Sequence, residues 1–396
     1  MSRLYRVRLG DVISIKHGFA FPGDGFTEEP SFPTLVTPGN FAIGGGFKPA
    51  KPKTFQGGFP EEYVLAAGDL IVSMTDLSKE GATLGLPALV PDDGTYLHNQ
   101  RVGLVQVTDL DRVDRFFLHY FLRTTGYRAH ILGTATGSTV RHTSPTKICS
   151  FAADLPDLVE QRAIADVLGA FDDKIAANTN LIETASALAM ALLSDCSPSV
   201  ALAEVVVYQK RSIAPADFGN VCVAHFSLPA FDTGQRPQMT SPQEIKSSKF
   251  SIEKPCVLVS KLNPRFPRIW DVAELPRALA ISSTEFLVLE SERCASTVLW
   301  AILSQPSFSA ELESKVAGTS GSHQRVRPDD LLATKVIDPR SLSQELMSEI
   351  ESLGRRIALG REESTTLAQI RDALLPQLMS GKIRVKDAEQ IVGDVV

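Results

Sequence analysis

The residues whose types and spacing could do chemistry lie in two short loops of small and basic side chains. The first, GSTVRH, runs from Gly137 through Ser138, Thr139 and Arg141 to His142. The second, GSHQR, runs from Gly321 through Ser322, His323 and Gln324 to Arg325. Small residues let a backbone come close to a phosphate, while Arg and Gln can give a base edge two hydrogen bonds. Gly137–Ser138 and Arg141 match Gly321–Ser322 and Arg325 at an offset of 184. A loop of this composition is ordinary surface when it occurs once; its recurrence points to contact with nucleic acid. Lys261, Asn263, Arg265 and Arg268 form a second basic cluster after an expected strand. Lys16–His17 and Lys210–Arg211 occupy matching places early in each half, where they suit phosphate contacts. All of this is binding chemistry.

Bond-making chemistry lacks a constellation. No GxxxxGK(S/T) phosphate loop occurs, and no GxGxxG opens a helix. The seven histidines are scattered, none with a metal-ligating partner at helical spacing. Asn263–Pro264–Arg265–Phe266 resembles the Asn-Pro-Pro-aromatic motif of amino-methyltransferases, but Arg265 stands where the second proline belongs, and no cofactor-binding glycine motif precedes it. The expectation is no catalytic residue, no metal and no cofactor.

Two long amphipathic segments must position the loops. Residues 160–193 place Ile164, Leu168, Phe171, Ile175, Ile182, Ala185, Ala189 and Leu192 on one stripe, with Asn178 interrupting it. Residues 344–379 place Leu346, Ile350, Leu353, Ile357, Gly360, Leu367, Leu374 and Leu378 likewise. A sustained four-three spacing signals a helix packed along another helix, with a buried Asn able to set the register. Adding 182 carries Ile164 to Leu346, Phe171 to Leu353, Ile175 to Ile357 and Leu192 to Leu374. So many coincidences at one offset mark a duplication. Pro376 and Gly381 end the second segment, leaving a short polar tail.

The intervening halves repeat one element order. VRLGDVISIKH suggests a short helix or turn around Leu9–Ile15; VALAEVVVYQK replaces it. GDLIVSM (68–74) and VGLVQV (102–107) read as strands, matched by PCVLVSKLNPR and EFLVLE. Arg115–Leu132 carries Phe117, Tyr120, Phe121 and Tyr127 on one face and reads as one or two helices. Gly and Pro punctuation rules out long helices before residue 60.

Composition bounds the rest. A chain of 396 residues with net charge −6 calls for two or three domains. The charge is uneven: net 0 over 1–156, −5 over 157–197, +1 over 198–341 and −2 over 342–396. The acid therefore sits in the helices, read as a solvated or subunit-docking face including Asp172 and Asp173, and the neutral halves remain open to DNA. Five cysteines without metal spacing, no signal peptide and no apolar run of membrane length point to the cytoplasm.

With these pieces in place, the chain resembles the specificity subunit of Type I restriction–modification enzymes over essentially its whole length. The residues that carry the resemblance are Leu155–Pro156 before Glu160–Gln161–Arg162, then Asp172–Asp173–Lys174–Ile175, then Leu374–Leu375–Pro376–Gln377–Leu378 before Ser380–Gly381. The fold class expected is α+β, with two mixed α/β domains in pseudo-two-fold arrangement separated by two long antiparallel coiled-coil helices. The resemblance implies target-recognition domains at 1–156 and 198–341, spacer helices at 157–197 and 342–380, and a tail at 381–396. It also implies that each domain reads one half of a split site in double-stranded DNA. Methyl transfer and cleavage would then belong to modification subunits, two of them, and restriction subunits docked on this chain. The rival reading is a duplicated coiled-coil scaffold that holds protein partners without reading DNA.

Overall fold

The computed structural model describes residues 4–48, 53–315 and 324–396. The chain forms two compact units, Met1–Ile175 with Thr366–Val396, and Ala176–Thr365.

In the first unit, β-branched alternation produces an antiparallel sheet of four strands in the order Ile13–His17, Val102–Val107, Leu70–Ser73 and Pro87–Leu89. A five-stranded sheet lies beside it in the chain, with one parallel pair, Thr34–Val36 and Tyr96–His98. Ile13–Ile15, expected within a helix or turn over Leu9–Ile15, belong instead to the strand Ile13–His17. Only Leu9–Asp11 turn, as a single 3-10 turn. The alternation of Ile13, Ile15 and His17 against Val105 and Gly103 explains why. Arg115–Leu132 resolves into two helices, Arg115–Phe121 and Thr125–Thr134, with Phe117, Tyr120, Phe121 and Tyr127 all buried.

The second unit repeats this plan. Its four-stranded sheet runs Val207–Gln209, Phe286–Glu290, Cys256–Ser260, Ile269–Val272, the same order as its twin. The five-stranded sheet again contains one parallel pair, Val223–Phe226 with Ala280–Ser282. Tertiary hydrogen bonds repeat as well. Leu9 N donates to Phe151 O at 2.8 Å, and Leu202 N donates to Thr334 O at 2.9 Å. Thr143 N donates to Met74 O as Val326 N does to Lys261 O, both at 3.0 Å. These bonds fix the offset near the small-polar loops at 183, not 184. His142 therefore stands opposite Arg325, and Arg141 opposite Gln324.

The long helices span Leu158–Ala191 and Gln344–Met379, and each contributes to both units. In the first unit Ile164, Leu168 and Phe171 share one core with Leu367, Leu374 and Leu378. In the second, Asn178 Nδ2 donates to Glu363 Oε2 at 2.9 Å, and a Cβ at Gly360 would lie 3.2 Å from Ile182 and 3.9 Å from Leu181. Partner numbers fall as the chain rises, so the pair is antiparallel. Shifting Asn178 and Leu181 by 182 gives Gly360 and Glu363, so the two contacts exchange with one another, as a local two-fold requires. Asn178 is buried on the seam and its amide is bonded, which suits a register-setting role.

Three expectations need correction. Pro376 lies inside the second helix, which continues to Met379; the stop comes at Gly381, where φ is +67°. Beyond it, Val385–Val395 is an amphipathic helix and not a polar tail, with Ala388 fully buried and Val385, Ile391 and Val392 packed on the first unit's core. Asp172 is not a solvated acid: it accepts from Tyr120 Oη at 2.7 Å and from Arg371, with Arg123 at 4.0 Å. Asp173 is exposed, as expected.

Gln161 shows what the Glu-Gln-Arg segment does locally. Its side chain is fully buried; Oε1 accepts from Asp114 N at 3.0 Å, while Nε2 donates to Arg112 O at 2.9 Å and Pro156 O at 2.8 Å. One amide thus ties the start of the long helix to the turn before Arg115–Phe121. Gln161→Ala should lower stability by about 2–3 kcal/mol, because three backbone groups, one buried and two partly buried, lose their partner. Denaturant unfolding of the two proteins measures it.

Candidate nucleic-acid interface

In the first unit Arg141–His142 forms a short antiparallel ladder with Thr75–Asp76, Arg141 opposite Asp76 and His142 opposite Thr75. Thr136 and His142 exchange two backbone hydrogen bonds, at 3.0 and 2.8 Å, and close the hairpin between them. Gly137 has φ +92°, and a Cβ there would stand 2.0 Å from Val140 O. Only glycine permits that turn, which leaves Ser138 and Thr139 exposed at the tip. Arg141 Nε donates to Lys79 O at 3.1 Å, and its terminal nitrogens have no protein acceptor among the described residues. His142 Nδ1 lies 3.2 Å from Thr75 Oγ1, with the ring exposed.

Asp76 underlies this surface. It is buried, and it accepts from Ser78 N at 2.6 Å, Thr83 N at 2.5 Å and Thr83 Oγ1 at 2.7 Å. Burial pushes its carboxyl up, but the hydrogen bonds from Ser78 and Thr83 together outweigh it and hold the group below the usual carboxylate range. The bonds shape the 76–83 loop, which presents Lys79 exposed beside Arg141. Lys79 follows the strand at 68–74 much as Arg265 and Arg268 follow its twin, but only the second half carries a basic cluster there dense enough to single out.

The second unit builds the same pairing from different residues. Leu262 bridges Arg325, and Asn263 N donates to Gln324 O at 2.9 Å. Lys261, Asn263, Gln324 and Arg325 thus come together. Asn263 adopts φ +49° and Phe266 N donates to its carbonyl at 2.8 Å, a tight turn that exposes Arg265 and Phe266. Arg325 pairs with Glu285 at 2.8 Å. The Lys261 amine is pulled down by burial, opposed by Glu285 and reinforced by Arg325. Ser322 and His323 lie outside the described residues.

The remaining candidates sit apart from these hairpins. Lys16 Nζ donates to Glu62 O at 2.7 Å and lies 4.5 Å from the Tyr63 ring centroid; His17 is exposed at the end of the same strand. Lys210 lies over Tyr208 at 4.7 Å, and exposed Arg211 forms an ion pair with Glu253. Arg268 is held by both carboxylate oxygens of Asp232, at 2.7 and 2.9 Å, with little exposure. Among the described residues no group of three His, Cys, Asp or Glu side chains could hold a metal ion, and no helix is long and apolar enough to cross a membrane.

Two copies of one α/β fold, each pairing a short segment that carries basic side chains with the end of a sheet strand, define the class as a duplicated α/β fold. Comparison with known proteins makes it specific. Residues 3–186 match the family model of the Type I restriction modification DNA specificity domain. The chain is 29% identical over 163 residues to the Type I restriction enzyme EcoBI specificity subunit of Escherichia coli; the match covers 41% of this chain and 31% of that protein. In fold it is similar to the Type I restriction–modification S subunit of M. genitalium, with a TM-score of 0.56, 14% identity and 96% of both chains covered. The HsdS subunit of Thermoanaerobacter tengcongensis aligns over 96% of this chain with a TM-score of 0.36 and 14% identity. By sequence the likeness to that family lies in residues 3–186, a little under half of the chain.

Asp76→Asn should lower the denaturation midpoint at neutral pH by removing the charged acceptor. Because the folded carboxyl is held below its ordinary value, its contribution is present above that ordinary value and is lost as pH falls through the folded pKa. The gap between wild type and variant should therefore close in acid, as unfolding curves across pH would record.

Proposed function

We propose that this chain is the non-catalytic DNA-specificity subunit of a Type I restriction–modification complex, each globular domain (1–156 and 198–341) reading one half of a bipartite site in double-stranded DNA. The observation that carries this reading is the recurrence of one backbone pairing in both copies, with Arg141 and His142 in the first and Gln324 and Arg325 in the second. The surrounding side chains differ between the copies, as two readers of different half-sites require. Phosphate contacts fall to Lys16, His17, Lys210 and Arg211, and base contacts to the hairpins, with Ser138, Thr139 and Lys261 supporting them.

The spacer helices set the gap. A helix of 34 residues is about 50 Å long at 1.5 Å per residue, more than one DNA turn of about 34–36 Å. Exposed acid on the helices, including Asp173, serves modification subunits, two per chain by the internal duplication, and restriction subunits where the assembly cleaves. Methyl transfer on adenine and any cleavage belong to those partners, and the complex works in the cytoplasm.

Methylome sequencing of cells with and without the chain, its methyltransferase partner present in both, tests the proposal. A split motif methylated only with the chain is the expected outcome; an unchanged methylome with partner bound and active favours the scaffold reading. Removing seven residues at matching places from both helices should shorten the gap by about three base pairs, at 3.4 Å each, and leave the half-sites unchanged. Arg141→Ala and Arg325→Ala should each weaken DNA binding and lower the salt slope by about 1, read from titrations at several salt concentrations.

A further inference from the structure

The second unit contains a cavity of about 350 Å³ that belongs to neither hairpin. Phe226, Trp270 and Trp300 contribute aromatic surface, and Asp271, Thr297 and Arg361 are among the polar groups that line it. Asp271 is the anomaly. Thr297 Oγ1 donates to its Oδ2 at 2.6 Å, while Oδ1 is shut from bulk solvent without a hydrogen-bond partner. Burial drives its carboxyl upward, against hydrogen bonds from Thr297 and Ser296 and the charge of Arg361. Arg361 is largely buried as well, yet it makes one hydrogen bond, from Nη2 to Gln235 Oε1 at 2.7 Å.

The twin copy serves as an internal control. Leu70 pairs with Leu89 and Ile71 with Ala88; at the same places in the second unit Val257 pairs with Asp271 and Leu258 with Trp270. The fold therefore works with leucine where Asp271 stands and alanine where Trp270 stands. Burying a carboxylate with an unpaired oxygen is unfavourable, and nothing in the architecture demands it.

Two neighbours are fitted to this arrangement. A Cβ at Gly354 would lie 2.3 Å from Thr297 Cγ2 and 2.6 Å from its Oγ1, so glycine admits the threonine that holds Asp271. The first copy has Asp172 at the matching place. Gln235 is a non-glycine residue at φ +54°, a strained conformation retained where its side chain meets Arg361.

The ligand follows from these groups. Arg236 and Arg361 face Asp271, Glu274 and Glu362 around the cavity, so its charges nearly balance and it holds no excess of positive charge to favour an anion. Its lining carries carboxylate acceptors and guanidinium donors beside aromatic walls. A neutral planar ring whose edge carries adjacent donor and acceptor atoms satisfies both features, and a volume of this size falls within the range of small-molecule sites. We propose that this cavity binds a nucleobase, either in a free nucleoside or as an unpaired base of a strand.

Both tryptophans of the chain line the cavity, so intrinsic fluorescence reports its occupancy. The full-length chain would be titrated with adenosine, guanosine, cytidine and thymidine, with ribose as control. A second arm would use a short single strand and its abasic counterpart. A saturable change with one nucleoside identifies a free ligand, and a change with the strand but not its abasic form identifies an unpaired base. Asp271→Leu, which installs the twin's own residue, and Arg361→Met should each weaken either response at least tenfold, with thermal unfolding confirming that both variants fold. No saturable response in either arm, or a response unchanged in both folded variants, overturns the proposal.

Discussion

Everything in this chain depends on one constraint: neither unit has a closed core without a helix segment from a distant part of the sequence. Ile164, Leu168 and Phe171 are buried in the first unit together with Leu367, Leu374 and Leu378. Each of those leucines contributes on the order of 1.5–3 kcal/mol by leaving water. In the second unit Ala189 and Leu193 share a core with Ile350 and Leu342. The helix pair is therefore as much part of each unit's core as a spacer.

Duplication supplied the frame, and divergence acted where the frame was indifferent. Strand order in the four-stranded sheets and the bonds at Leu9 and Leu202 are unchanged between copies. Side chains between helix and sheet are not. In the first unit Asp172 gathers Tyr120, Arg371 and Arg123 into a partly buried polar cluster, where burial raises the Tyr120 hydroxyl. In the second unit the matching residue is Gly354, which lies against Thr297. Two solutions to one docking problem show that the helix stripe, and not its polar contacts, dictates the packing.

The legible part of the sequence was the part governed by periodicity. The seam of both helices, the strands at 70–73 and 102–107 and the buried face of Arg115–Leu132 follow from spacing alone. The hairpin register did not. Arg141 and Arg325 look equivalent as letters, but backbone bonds from Thr143 and Val326 displace the match by one residue. Asp172 reads as a solvated acid, and Lys79 as an ordinary surface lysine, until their partners 52 to 199 residues away in the chain are known. The last helix was missed because Ala388 and Ile391 look polar-flanked until the face they present to the core is known.

The split cores also set a timetable for synthesis. Phe171 leaves the ribosome roughly 200 residues before Leu367, so at roughly 5–20 residues per second the apolar stripe of the first helix waits about 10–40 s for its partner. Hydrophobic collapse takes microseconds. For that interval the nascent chain carries an exposed seam whose proper mate does not yet exist, while a finished neighbouring chain already carries one. Its first folding problem is therefore one of patience: a helix built to recognise a copy of itself must be kept from recognising the wrong one.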